Sequence, residues 1–306
     1  MANAVLRSGR DPPYARPVPS PRRPDPGPAS AVTELTGRAV HRMRPLSGTL
    51  WEAVLDDGRT VMVKRGDRRD AVRAEAAGLR WLAAADTVRV PGVLGDDERW
   101  LVTERVATGA PGAEPAVRFG RDLAALHAAG APGFGAPPPG GPEEACIGLA
   151  PLRNTVGEDW PRWFAEHRVL PYLRAAVDAG TVRPAEAADV ERLCARLPGL
   201  AGPAEPPARL HGDLWNGNVL WGADGDVRII DPAAHGGHRE TDLAMLALFG
   251  CPYLRQVLQG YEQVAPLAEG WAGRVGVHQL FPLLVHAVLF GRPYAEQALA
   301  VARTAL

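Results

Sequence analysis

Two carboxylates and an amide stand at fixed separations in residues 211–231, HGDLWNGNVLWGADGDVRIID. Asp213 precedes Asn218 by five positions, and Asp231 follows at the end of an apolar run, residues 227–230. Such a set suits phosphoryl transfer. A hydroxyl must be aimed in line at phosphorus, a carboxylate must orient or accept its proton, and a divalent cation must offset charge on the phosphate oxygens. Magnesium takes hard oxygen ligands, so the Asn218 carbonyl oxygen and the Asp231 carboxylate fit the metal, and Asp213 fits the base. Leu220 and Trp221 read as the end of a short strand, residues 224–226 as a Gly-containing turn, and residues 227–230 as the strand that delivers Asp231. Each fragment alone reads as an ordinary turn, because Asp and Gly gather there; the combination points to chemistry. His211 is expected to brace the loop by hydrogen bonds rather than to react.

Composition singles out one further residue. Of 34 basic side chains only Lys64 is a lysine. A chain that uses Arg wherever any cation serves keeps a lysine where a compact ammonium is needed, for example against phosphate oxygens. Lys64 ends residues 60–64, an apolar strand that follows a turn at Asp56–Gly58. The next segment, 70–84, has helix formers throughout and Glu75 as its only internal acid, beside the stripe of Val72, Leu79 and Leu82. An ion pair between Glu75 and Lys64 is expected. Ser47 and Gly48, in a turn ahead of Leu50, are candidates for covering phosphates. Strand 100–106 runs into Gly109, Pro111 and Gly112, a hinge where backbone groups of Glu104, Arg105 and Val106 could pair with a base.

The rest of the chain must position these groups. Its 306 residues allow two compact units. Residues 1–32 are Pro/Arg-rich and read as a disordered leader without the apolar run of a secretory signal. Short strands at 49–55, 60–64 and 100–106 with the Glu75 helix make a small unit, 33–105. From 106 to 306 the pattern is helical (115–129, 160–179, 184–197, 241–249, 252–264, 271–290, 294–304), interrupted by the catalytic hairpin only. Asp242 is expected to cap the helix that begins at Thr241 or, alternatively, to bond back to the catalytic loop. No apolar stretch approaches the roughly 20 residues that span a bilayer, and a net charge of −1 gives no footprint for nucleic acid or an anionic membrane. Cys146, Cys194 and Cys251 form no CxxC pair, which fits a reducing cytoplasm.

Asp213 and Asn218 match the HRDxxxxN loop of protein kinases, with Gly212 in place of Arg, and more of the chain resembles the fructosamine (ketosamine) kinases, relatives of aminoglycoside and choline kinases. HGDLWNGN with Trp215, IIDPAAHGGHRETDLAMLALFG (229–250), GRDLAALHAAGAPGFG (120–135), the segment 147–173, EAAGLRWL and VRVPGVLG carry the resemblance, from about residue 35 to the C terminus. It is weaker at the phosphate loop, where the family has more Gly and often a Cys, and at His235 and His238, where it more often has an aromatic and an acid. The HGGH run lacks a third ligand at useful spacing and reads as a solvated loop.

The resemblance implies an α+β, bilobal protein-kinase-like fold: a small antiparallel β lobe with one helix and a larger, mainly helical lobe. It implies an ATP- and Mg2+-dependent kinase acting on a sugar hydroxyl, at carbon 3, of a small-molecule ketosamine or glycated amine. In that reading Lys64 holds the α/β-phosphates, Glu75 positions it, and Trp215 lines the sugar side or packs. A monomer is expected. The alternatives are an aminoglycoside- or choline-type phosphotransferase and a nucleotide-binding scaffold without turnover.

Overall fold

The computed structural model describes residues 27–68 and 70–305. Alternation builds its sheet: β2 (Leu50–Leu55) and β3 (Thr60–Arg65) send Ala53, Leu55, Val61 and Val63 inward and leave their neighbours half-exposed. With β1 (Val40–Pro45), β4 (Val93–Asp96) and β5 (Trp100–Glu104) they form an antiparallel sheet in the order β1-β2-β3-β5-β4. Register places Lys64 between Leu50 of β2 and Leu101 of β5.

Helix α1 (Gly27–Thr36) covers one face of this sheet, and its Ala31 and Val32 share a core with Trp100 and Val102. This corrects the expected leader, 1–32: residues 27–32 are helical, because Ala31 and Val32 bury apolar surface that the strands present, and the remainder of that segment lies outside the described residues. Among the described residues the small lobe therefore carries two helices rather than one. The second, α2 (Ala71–Ala83), packs Val72, Ala76 and Leu79 against Leu101. Burial of Val72, Leu79 and Leu101 contributes about 1.5–3 kcal/mol each.

The large lobe begins with α3 (Ala113–Ala128), which crosses α8 (Leu254–Val264) at unusually short range. Gly120 and Gly260 make that approach possible, since a Cβ on either would collide with the backbone carbonyl of Val257 or Val117. Between them come β6 (Glu144–Ile147), β7 (Ala150–Arg153), α4 (Trp160–Phe164), α5 (Leu170–Asp178), α6 (Pro184–Leu200), β8 (Ala208–Leu210), β9 (Val219–Trp221), β10 (Val227–Ile229), β11 (His235–Gly237) and α7 (Arg239–Leu248). The chain closes with α9 (Trp271–Phe290) and α10 (Arg292–Ala305).

Three expectations change here. The helical pattern is interrupted by the β6–β7 hairpin and the β8–β11 pair as well as by β9–β10; strands of three or four residues are too short to leave a period-two signal. The helix expected over 160–179 contains a π-helical turn at Ala165–Val169. That turn seats Arg168, which is buried, donates to Arg153 O (2.8 Å) and Asn154 Oδ1 (3.2 Å) and lies 4.5 Å from the Trp163 ring centre. Burial pushes its guanidinium down to about 10. Finally, α9 is 20 residues long with mean hydropathy 1.3, enough by length and composition to cross a membrane, contrary to the sequence reading. More than half of that stretch is buried within the fold, and Arg274, His278 and Gln279 on it bond to Glu240, Thr241 and the carbonyl of Ala244.

Candidate active site

The loop between β8 and β9 begins with His211, whose ring is buried and held at both nitrogens. Its Nε2–H donates to Ile230 O (2.9 Å), and Nδ1 accepts the Asp213 amide (3.3 Å). Burial lowers its pKa and keeps the ring neutral, as that bonding pattern requires. Gly212 follows at φ 81°, where a Cβ would strike Ala233 O, so only Gly passes the chain between His211 and Asp213. Both buried amides at this point, His211 N (2.8 Å) and Gly212 N (3.0 Å), donate to the Asp242 carboxylate. Asp242 therefore bonds back to the loop and does not cap its helix. The cap of α7 is His238, which accepts the Glu240 amide, and the helix starts at Arg239. Burial alone would raise the Asp242 carboxyl, but His127 at 3.3 Å and the loop donors hold it below the usual carboxylate range.

Asp213 itself is half-buried. The Asn218 amide donates to its Oδ2 (3.0 Å) and to its backbone carbonyl (2.8 Å). Burial pushes the Asp213 carboxyl up to about 6, with Asp231 and Asp242 adding repulsion and Asn218 and Lys64 opposing it. Across from it, Lys64 Nζ lies 2.7 Å from Glu75 Oε2 and 3.3 Å from Asp231 Oδ1. Burial works against the ammonium, yet Glu75 and Asp231 outweigh it and push Lys64 up to about 12. Burial raises the Glu75 carboxyl above its usual range, with Lys64 at 2.7 Å pulling it back and Asp231 adding to the rise. Asp231 lies two residues beyond β10 at φ 52°, in the left-handed region, with half its side chain exposed. These five groups form two bonded sets, Glu75–Lys64–Asp231 and Asp213–Asn218, near enough that the charges of Lys64 and Asp231 act on Asp213.

This donor set fits a magnesium ion. With its nitrogen committed twice to Asp213, Asn218 is left with its carbonyl oxygen, and Asp231, which touches Lys64 and the Glu75 carboxyl, offers a carboxylate that is half exposed.

Comparisons with known proteins agree with the geometry. Residues 31–306 match the sequence profile of fructosamine kinase. The chain belongs to the fructosamine kinase family. A probable ketoamine kinase of Synechocystis is 32% identical over 88% of this chain and 92% of its own length, and one of Thermus thermophilus is 36% identical over 82% and 88%. The crystal structure of a protein assigned as a fructosamine-3-kinase from Thermobifida fusca YX-ER1 is 49% identical, with a TM-score of 0.84 over 90% of this chain and 97% of that one. More distant neighbours share the fold alone: an aminoglycoside phosphotransferase, APH(4)-Ia, has a TM-score of 0.61 at 18% identity.

Other positions of this fructosamine kinase family member differ in how they sit. Ser47 and Gly48 form the exposed tip of the β1–β2 hairpin, where Leu46 N and Ser47 N both bond to Leu50 O, and Leu50 is the register partner of Lys64. The tip is therefore at the Lys64 end of the sheet. At the expected hinge, the amides of Glu104 and Arg105 are paired within the sheet. Glu104 N bonds to Gly92 O and Arg105 N to Thr60 O, while the Glu104 carboxylate accepts from Gly92 N and the Arg105 guanidinium pairs with Glu52 (2.6 Å). Sheet pairing uses the Glu104 and Arg105 amides, while the Arg105 carbonyl and both backbone groups of Val106 make no backbone bond to a described residue. Trp215 is 39% exposed, lies over Gly217 and meets Phe249 edge-on at 6.1 Å.

The HGGH run is not a solvated loop. His235 and His238 are buried, residues 235–237 pair with β8, and the fold brings in the third partner that spacing concealed, His278 of α9. His238, Glu240 and His278 offer ligand atoms within 4.8 Å of one another. Both Glu240 oxygens are already taken by Arg274 (2.5 and 2.9 Å), which leaves no charge for a cation to neutralise. Burial pushes His238 down to about 3, and Trp160 stacks on His278 at 4.7 Å. The cluster is a neutralised core behind the Asp242 helix. Bonding back to the loop was the alternative left open for Asp242, and the start of α7 at Arg239, two residues before the expected start, takes Asp242 away from the capping position.

Proposed function

We propose that this protein transfers the γ-phosphoryl group of ATP to a sugar hydroxyl of a ketosamine, at carbon 3 by the family resemblance. The observation that carries the reading is Asp213: a half-buried carboxylate oriented by Asn218 and raised to about 6, ionised at neutral pH yet basic enough to take a proton. Asp213 accepts the proton of the attacking hydroxyl at Oδ1 or Oδ2. Lys64, fixed by Glu75, offers a permanent ammonium to the phosphates, and the Ser47–Gly48 tip covers them from the same end of the sheet. Val106 presents backbone groups to the adenine. Asn218 and Asp231 would hold magnesium, which when bound offsets the charge on the phosphate oxygens and aligns them. Trp215 places an aromatic face beside the base, suited to sugar C–H groups and to the ammonium of the substrate. The relatives' names, ketoamine kinase and fructosamine-3-kinase, support this substrate class over aminoglycosides or choline. Three cysteines without a disulfide support a reducing, cytoplasmic setting.

The test is ATP consumption by the purified protein across fructosyl- and ribosyl-amines, aminoglycosides and choline. Turnover with a ketosamine at a kcat/KM at least tenfold above the other classes is the expected result. Preference for an aminoglycoside or choline overturns the substrate assignment, and nucleotide binding without turnover of any acceptor overturns the enzyme assignment.

A further inference from the structure

Large aromatic side chains continue outward from Trp215 in an unbroken series. Trp215 meets Phe249 at the end of α7 (6.1 Å between ring centres), Phe249 meets His286 of α9 (4.8 Å), and His286 meets both Tyr294 of α10 (5.0 Å) and Phe290 (5.4 Å). Phe290 and Tyr294 are themselves 6.0 Å apart. Phe290 is 62% exposed, and the other members are partly open rather than closed into the core. An isolated exposed aromatic needs no explanation, but a contiguous row that starts two residues from the catalytic carboxylate marks a binding surface.

We propose that this ridge receives the amine substituent of the ketosamine and selects substrates whose amine carries an apolar or aromatic body. The inference rests on the ketosamine reading given above. In a ketosamine the amine is on carbon 1, so only carbons 1, 2 and 3 lie between its nitrogen and the oxygen of the hydroxyl on carbon 3. When that hydroxyl reaches Asp213, the nitrogen stands in the neighbourhood of Trp215, and whatever it bears must extend over the adjoining surface. The nitrogen is a cationic secondary ammonium at neutral pH, which aromatic faces attract. The row from Trp215 to Tyr294 is longer than a hexose, so the sugar at Trp215 leaves Phe249, Tyr294 and Phe290 for the substituent. His286 is held for such a role: its Nδ1–H donates to Pro282 O (2.8 Å) and burial lowers its pKa, so the ring is neutral and does not repel an ammonium. Nucleotide groups are assigned to the sheet side, at Lys64, which leaves this side to the acceptor.

The test compares wild type with Phe290→Ala, Tyr294→Ala and the double variant of the full chain, on two substrates: 1-deoxy-1-methylamino-fructose and 1-deoxy-1-benzylamino-fructose. Wild type is expected to prefer the benzyl compound, and the double variant to lower the benzyl-to-methyl ratio of kcat/KM about five- to tenfold, mainly through KM. Should Tyr294→Ala fail to fold, the exposed Phe290→Ala carries the test alone, with a drop of about threefold expected. A ratio within twofold of wild type overturns the proposal, as does a change from dimer to monomer on truncation with no change in the ratio, which makes the ridge a self-interface. If wild type phosphorylates neither compound, the ketosamine reading falls and takes this one with it; turnover of both with an unmoved ratio removes the ridge alone.

Discussion

Replacing Asp213 by Asn should make the protein more stable while removing its activity. Burial and two neighbouring carboxylates raise the Asp213 carboxyl from 3.8 to about 6, so the folded state disfavours its charge. A shift of that size corresponds to about 3 kcal/mol at most. Solvent screening at a half-open site reduces it, and the Asn218 amide bond to Oδ2 survives in neutral form, so a net gain of about 1–2 kcal/mol is expected. The sign has a pH signature. An acid whose folded pKa is raised opposes folding in full above that pKa, and the penalty fades as pH falls from about 6 toward 3.8. Thermal unfolding of the nucleotide-free variant should show Tm higher by about 2–4 °C at pH 8, with roughly half of that advantage left at pH 5. A variant that melts below wild type at pH 8, or one whose gain is the same at both pH values, would refute the claim that the carboxylate is held against its preference.

Three other outcomes follow from the same geometry. As Asp213 protonates, kcat/KM for the acceptor should fall about tenfold per pH unit below about 6 and level off above it; a profile flat from pH 5 to 7 excludes an ionised Asp213 as base. Lys64→Arg keeps the charge but replaces a compact ammonium bonded to both Glu75 and Asp231 by a planar fork, and should raise the KM for ATP about tenfold or more, read by initial rates; an unchanged KM argues that any cation suffices. Asp242→Ala strips the acceptor from two buried amides and should cost about 3–5 kcal/mol in urea unfolding, whereas a loss under about 1 kcal/mol would mean the loop supports itself.

Much of the site could be read before any coordinates because its chemistry lies in adjacent residues. Asp213, Asn218 and Asp231 share one hairpin, and local spacing fixes their relation. Lys64 was identifiable for a different reason, the scarcity of lysine in the chain. What escaped detection depends on long-range packing. His278 lies 40 residues beyond His238, and no periodicity announces that α9 will deliver it to the start of α7. The helix at Gly27–Thr36 was hidden by a Pro/Arg-rich composition, and only the sheet it covers makes its few apolar residues sufficient. At the expected hinge the sequence could not show that the Glu104 and Arg105 amides are taken up by sheet pairing, because strand pairing decides which amides are spent.

The solitary lysine has a consequence for the protein's own chemistry. Reducing sugars condense with amines only in their uncharged form, and an amine raised to about 12 is uncharged about once in 10^5 molecules at pH 7. A polypeptide whose other 33 cationic side chains are guanidinium groups offers sugar aldehydes almost no ε-amino target. The catalyst assigned to glycated amines thus carries in its own fold very little of the functional group on which that damage begins.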